Sequence, residues 1–331
     1  MRAPRFWYNH PSKRSFVSTL LSPLGLLYGM STARRLSKST VTKAGVPVLC
    51  VGNLNVGGTG KTPTVIALTE IAKAQGAKPV ILSRGYGGSM KGPVVVNELN
   101  HRADQTGDEP LLLAAFATTI VCKNRAIGIK VAETYYPDII ILDDGFQDPS
   151  VGKTKSLIVV DAENGFGNGL CLPAGPLREP VANGLLRADA LLSIGDATAQ
   201  KKFAQTWGNK INCKQMTAEI NPLPTGMNWS EGSYIAFAGI GHPDKFFKTL
   251  QNLGANLLHT EALEDHAIIS LKFLKRLESL ANEVGAQLVT TEKDVVRLPK
   301  NFRRNVLTLP VRLGLSHSNS LKEFFETAMR Q

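Results

Sequence analysis

Acidic residues are absent from the start of this chain: the first aspartate or glutamate is Glu70. The first 45 residues carry instead Arg2, Arg5, Lys13, Arg14, Arg34, Arg35, Lys38 and Lys43. A segment with that uncompensated charge suits a polyanionic partner, whether nucleotide, nucleic acid or an anionic headgroup layer. Cysteine is scarce, and Cys50, Cys122, Cys171 and Cys213 stand singly with no C-x-x-C pair. That spacing argues against structural zinc and for a reducing compartment. Internal repeats and low-complexity tracts are lacking as well. The apolar stretch at residues 16–30 is shorter than the about 20 residues a spanning helix needs. It is broken by Ser22-Pro23 and Gly25 and ends in no small-residue cleavage site.

What is present frames the rest. A chain of 331 residues with 43% hydrophobic content and a net charge of +11 can bury a sizeable core, and two domains are expected. Within residues 16–30, Val17, Leu20, Leu24 and Leu27 recur at helical spacing between basic flanks. This predicts a helix lying in a membrane interface, the competing reading being a helix packed on the protein's own core.

The chain is organised around residues 46–63, VPVLCVGNLNVGGTGKTP. A β-branched run leads into a glycine turn, then Lys61-Thr62 and a helical pattern over 64–75. Strand, glycine loop and helix in that order form a phosphate-cradling P-loop. Backbone N–H groups from Asn55, Val56, Gly57, Gly58, Thr59 and Gly60 onward would surround phosphate oxygens, Lys61 would reach the outer phosphates, and Thr62 would ligate the nucleotide's Mg²⁺. The full pattern wants glycine at the position of Asn55, so the match is incomplete.

Further strands are expected at 80–82, 119–121, 139–142, 157–160 and 190–194, with helices between them. That alternation predicts an α/β fold: a doubly wound, mostly parallel sheet. The first of these strands leads to Arg84 and Tyr86, candidates for substrate contact or an ordinary turn. Asp108 and Glu109 open a helical run, where they either satisfy the helix dipole or place a general base at a phosphate. The strand at 139–142 ends in Asp143-Asp144, with Asp144 the metal-side candidate and Asp143 and Gln147 in support. Residues 165–180 are too rich in glycine and proline for regular structure and hold Arg178. The pattern weakens over 195–229, which suggests a boundary, and a second α/β unit follows with strands at 234–238, 256–259, 288–291 and 305–311. His266 lies at a strand–helix junction in it, as a cap or a catalytic partner.

In order, GNLNVGGTGKTP, SRGYGG, TGDEPLLLA, ILDDGFQ, GFGNGLCLPAGPLREP, FAGIGHP, EDH and TTEKD resemble the tetraacyldisaccharide 4′-kinases over nearly the whole chain. The resemblance implies a monotopic enzyme on the cytoplasmic face of a bacterial inner membrane. It would use ATP and Mg²⁺ to phosphorylate the 4′-hydroxyl of tetraacyldisaccharide 1-phosphate, giving lipid IVA in lipid A biosynthesis. It further implies Asp108 and His266 as the catalytic pair beside Lys61. Thr62, Asp144 and Glu109 fall on the metal side, and Arg84, Tyr86 and Arg178 on the lipid substrate. The expected organisation is a membrane-associating segment (1–45), a P-loop domain (46–225) and a smaller α/β domain (226–331). The lipid A precursor and an anionic membrane surface are the expected partners, without nucleic acid or an obligate protein partner. Asp148 to Gly152 depart from the family, which continues with histidine and basic residues there.

The alternative is a membrane-associated switch ATPase of the partitioning type, which wants lysine where this chain has Val56. A GTPase is disfavoured because Lys293 and Asp294 in TTEKD are adjacent.

Overall fold

A computed structural model describes residues 3–37, 41–315 and 319–330. Arg2 and Lys38 of the basic flanks lie outside the described residues. Two sheets organise the chain. The strands of the first are β1 (Val48–Gly52), β2 (Pro79–Ser83), β3 (Val94–Val95), β4 (Thr118–Val121), β5 (Ile139–Asp143), β6 (Lys155–Asp161), β7 (Ala190–Ile194) and β8 (Lys214–Pro222). The second holds β9 (Ser233–Ala238), β10 (Asn256–Ala262), β11 (Gln287–Thr291) and β12 (Val306–Leu309), and β13 (Val311–Leu315) returns to the first.

Among the described residues the large sheet runs β13-β8-β7-β6-β1-β5-β2-β4-β3, and the small one β10-β9-β11-β12. Pairing in the large sheet is parallel except at its two edges, β13 on β8 and β3 on β4. Its central strands are buried along their whole length. Val48, Cys50, Ile140 and Leu142 enter one core, and Leu49, Val51, Ile139 and Ile141 the other. The two-residue side-chain period of strands covered on both faces produces that division, which is why their sequences read as unbroken apolar runs.

The structure corrects three expectations about the strands and domains. The weak pattern over 195–229 conceals the helix Ala197–Trp207 and strand β8, both belonging to the large sheet's side of the molecule. Near the edge, β8 is largely exposed, so it carries no continuous apolar signal. The single strand expected at 305–311 is two, split at Pro310, where the chain passes from the small sheet to the large one. The closing helix Ser320–Met329 then buries Leu321, Phe324, Phe325 and Ala328 in the core shared with Val65 and Leu68. Residues 226–331 are therefore not one contiguous unit: the smaller lobe is an insertion, and the C-terminus completes the larger lobe.

The N-terminal helix α1 (Phe16–Ser37) is continuous through Ser22-Pro23 and Gly25, and at 22 residues it is long and apolar enough to cross a membrane. Pro23 has no N–H for the Thr19 carbonyl, and the Ser22 hydroxyl donates to that carbonyl instead, at 2.8 Å. The buried face of α1 consists of Ser18, Gly25, Gly29 and Thr32. These small residues permit close docking on the 165–180 loop: a Cβ on Gly25 would stand 2.8 Å from the Cys171 carbonyl oxygen. The large side chains, Phe16, Leu20, Leu24 and Leu27 among them, are exposed.

Because Phe325 is fully buried, Phe325→Ala is expected to cost about 3–5 kcal/mol. Denaturant unfolding of both proteins measures this. A loss below about 1 kcal/mol would remove the closing helix from the cooperative core.

Candidate active site

The glycine loop leaves β1 where chain connections diverge, toward β2 on one side and β6 on the other, the position at which open α/β sheets form their ligand crevice. Helix α2 (Lys61–Ala74) begins directly after Gly60, three residues earlier than the apolar pattern suggests. Gly60 has φ 92°, and a Cβ there would lie 2.5 Å from Ile194 Cδ1, so both backbone and space demand glycine. Asn53 Nδ2 braces the loop from inside, donating to Thr59 Oγ1 at 3.1 Å. Nothing lies within 4 Å of a Cβ built on Gly57 or Gly58, so the Cβ side of that turn is open.

One backbone N–H expected at the phosphates, that of Val56, is engaged elsewhere, and the neighbouring Asn55 is tied down through its side chain. The Val56 amide donates to the Pro176 carbonyl at 2.8 Å, and the Asn55 side chain donates to the Gly165 carbonyl at 2.9 Å. Both bonds anchor the loop to residues 165–180, and the Val56 N–H is thereby withdrawn from the cradle.

The β5 carboxylates stand opposite the cradle. Asp144 Oδ1 lies 3.7 Å from Lys61 Nζ and accepts from Arg178 Nη1 at 2.9 Å. Burial alone would raise the Asp144 pKa, but Lys61, Arg178 and Arg125 outweigh it and lower it to about 2. Asp144 has φ 48°, an unusual conformation for a non-glycine residue. Arg125 secures it by donating to the Asp143 and Asp144 carbonyls, at 3.0 and 2.8 Å. The other guanidinium nitrogen of Arg125 binds Asp148 at 3.0 Å, so the departure from the family pattern at Asp148 supplies a structural ion pair. Arg178, expected at the lipid, lies instead against Asp144 and Gln147.

Asp143 differs from its neighbour. Its Oδ2 accepts from the Ser83 hydroxyl at 2.9 Å, while its buried Oδ1 has no partner. Burial, reinforced by the charges of Glu109 and Asp144, raises its pKa to about 7. An orphaned carboxylate oxygen beside an ionised one is a donor set that fits a hard cation. Among the described residues no three potential ligands form a metal cage, as suits an ion completing its shell with phosphate and water. Thr62 is half-buried in the first turn of α2. Glu109, the other metal-side candidate, accepts from Lys293 Nζ at 3.3 Å, and its charge still acts on Asp143. Gln147 donates to the Asn53 carbonyl at 2.8 Å and to Glu179 at 3.0 Å, holding the β5 turn against the loop.

The other side of the site joins the lobes. Asp108 opens the short helix Asp108–Leu113 and accepts from its neighbour's amide at 2.9 Å. Its second oxygen lies 2.9 Å from His266 Nδ1. His266 has φ 60°. Burial raises the Asp108 pKa, but the His266 hydrogen bond and the charge of Lys293 outweigh it and hold the carboxyl below its ordinary range. The same hydrogen bond pushes His266 up, against burial and Lys293. Tyr86 is 71% exposed, and its ring meets that of His266 edge-on at 5.4 Å. Arg84 is exposed at the same rim. The second lobe also reaches the cradle, since a Cβ on Gly241 would stand 3.5 Å from the Gly58 nitrogen. Lys293, Arg125, Ser83 and Asn53 were not singled out as site residues from sequence. Lys293 belongs to the TTEKD motif, which carries part of the family resemblance without assigning this lysine a role.

A glycine cradle, a helix-borne lysine, strand-end carboxylates and a carboxylate–imidazole pair between lobes define a P-loop phosphotransferase. Residues 17–330 match the model of the family described as tetraacyldisaccharide-1-P 4′-kinase. The chain is similar to the tetraacyldisaccharide 4′-kinase of Dinoroseobacter shibae, 51% identical over 99% of this chain and 97% of that one. It is 51% identical to the enzyme of the same name from Jannaschia sp., over 95% and 94% of the two chains. The crystal structure of LpxK from Aquifex aeolicus in complex with ATP superposes with a TM-score of 0.74 at 27% identity, covering 95% of this chain and all of that one. The chain belongs to the tetraacyldisaccharide-1-P 4′-kinase family. It is a kinase of lipid A biosynthesis, and the switch-ATPase alternative is not favoured.

Asp143 supplies a pH test. Its folded pKa lies above the unfolded value of 3.8, so the folded state holds its proton more tightly. That preference favours folding at low pH and is lost as pH rises from about 4 to about 7. Asp143→Asn is therefore expected to gain stability relative to wild type across this window, in thermal unfolding without divalent cation. A stability difference independent of pH would refute the raised pKa.

Proposed function

We propose that the chain transfers the γ-phosphoryl group of ATP to the 4′-hydroxyl of tetraacyldisaccharide 1-phosphate at the crevice between its lobes. The observation that carries this is the 2.9 Å contact of Asp108 with His266, beside a cradle built on Lys61. The backbone of Gly57 to Lys61 and the N-terminus of α2 bind the phosphates. Lys61 and Arg178 share one oxygen of Asp144, so both cations stand where phosphate charge arrives. Thr62, Asp143 and Asp144 would hold Mg²⁺. The ion, when bound, neutralises charge on the β- and γ-phosphates.

Asp108 orients the acceptor hydroxyl and takes its proton, while His266 fixes the carboxylate. A carboxylate held below its ordinary pKa is a weak base. That suffices for a loose phosphoryl transition state, in which the attacking oxygen needs little activation and position matters most. Tyr86 and Arg84, on the exposed rim, form the approach for the lipid.

The expected test is label transfer from γ-labelled ATP to the disaccharide lipid in mixed micelles. Asp108→Ala should lose about 10²–10⁴-fold in turnover while remaining folded. Lipid labelling equal to wild type would return Asp108 to a helix cap.

The acceptor's acyl chains keep it in a bilayer, and we assign α1 to the membrane surface. In a helix that packs on a soluble core the large apolar side chains face inward. Here glycine and serine face inward, and Phe16 (82% exposed) and Leu27 (62%) face outward. With Lys13, Arg14, Arg34 and Arg35 at its ends, the helix suits an anionic headgroup layer, consistent with the cytoplasmic face of an inner membrane. Exchanging Leu20 and Leu27 together for glutamate is expected to lower binding to phosphatidylglycerol vesicles by at least about tenfold, given about 1.5–3 kcal/mol per buried leucine. Unchanged co-sedimentation would sink the assignment.

A further inference from the structure

Lys293 has no role in the mechanism above, yet it stands at the centre of the charged cluster between the lobes. It lies in the four-residue helix Glu292–Val295 that follows β11. Its backbone is pinned by Asp294, a fully buried carboxylate that accepts from the Thr291 hydroxyl at 2.7 Å, from the Gly239 amide at 3.0 Å and from Arg297 at 2.6 Å. From that anchor the ammonium reaches Glu109 and Asp265, each at 3.3 Å, and His266 Nε2 at 3.4 Å, with Asp108 Oδ2 at 4.0 Å. Glu109 and Asp108 belong to the larger lobe, the others to the smaller.

An ammonium has three donors and no acceptor, so a ring nitrogen bonded to it must present a lone pair. In a neutral imidazole the proton then resides on the other nitrogen, and here that is Nδ1, facing the Asp108 carboxylate. We propose that Lys293 is a positioning residue for phosphoryl transfer. It ties Glu109 to Asp265 across the lobes and holds His266 in the tautomer whose Nδ1–H donates to Asp108. This rests on the reading of Asp108 and His266 as the pair that handles the acceptor hydroxyl. Asp265 Oδ1 also lies 3.7 Å from Nε2, so without the ammonium Nε2 can carry the proton toward that carboxylate, and Nδ1 would then oppose Asp108 with a lone pair instead of a donor.

Selective ¹⁵N-histidine NMR of the full-length enzyme in detergent micelles tests this, with the His266 signals identified by their loss in His266→Gln. Wild type is expected to show the Nδ1–H form. Lys293→Met should shift His266 toward the Nε2–H form. It should also lower kcat by about tenfold to a hundredfold while leaving the KM for ATP within about twofold. Lys293→Arg keeps the charge and should recover part of kcat. Wild-type His266 carrying its proton on Nε2 would overturn the proposal whether or not any variant folds. A folded Lys293→Met with wild-type kcat, or with its Nδ1–H form intact, would overturn it too. Asp108→Asn with full turnover would instead overturn the underlying pair while leaving the tautomer result standing.

Discussion

A parallel sheet covered on both faces can present chemistry only at the ends of its strands, and that constraint governs this molecule. The interior of β1, β5 and β7 admits no solvent, so polar function gathers where strands give way to loops. The cradle follows β1, Ser83 ends β2, Asp143 and Asp144 close β5, and Asp161 closes β6. The smaller parallel sheet obeys the same rule: β10 leads to Asp265 and His266, and β11 to Lys293. Facing the two sets of strand ends across one crevice brings together groups from sequence positions as distant as 108 and 293.

Adjacent carboxylates in this crevice are given opposite characters by their surroundings. Asp144 meets two cations and is lowered to about 2, whereas Asp143 meets a hydroxyl and two anions and is raised to about 7. Their backbone carbonyls share one guanidinium, Arg125, so the pair is held as a unit whatever the charge on either. The left-handed backbone at Asp144 and His266 is a further cost, of order 1–3 kcal/mol each, borne where geometry is needed. A second set of ion pairs holds the lobes at the far side of the crevice, where Lys245 binds Asp161 at 3.1 Å and Glu163 at 2.8 Å.

The N-terminal helix follows from a similar economy of shape. Docking through glycine and serine lets its backbone lie close to the 165–180 loop. Asn168 of that loop binds the Ser18 hydroxyl at 3.0 Å. The loop in turn anchors the cradle through Gly165 and Pro176 and supplies Arg178 to Asp144. One loop thus bridges the outward-facing apolar helix and the phosphate site.

Much of this was written locally. The glycine turn, the apolar strands ending in acids and the alternation of strand and helix depend on short-range pattern, because a buried strand needs continuous apolar residues and a phosphate loop needs glycine at fixed places. Those patterns determined the α/β class, the P-loop and the positions of Lys61 and Asp144, and the ordered motifs determined the family. Other features had no local signature. Asn55 and Val56 fit a phosphate loop by position, but their hydrogen bonds go to partners 110 and 120 residues away. The exposed strand β8 carries no apolar run, and the return of the last helix to the larger lobe depends on packing partners supplied by α2. Asp108 and His266 each read as a helix cap or a catalytic group until the lobes placed them 2.9 Å apart. The same closure put Lys293 on both. Sequence thus determined which chemistry was available, through patterns that act over a few residues. Tertiary structure alone decided which groups share a hydrogen bond, because that choice is made by contacts between distant parts of the chain.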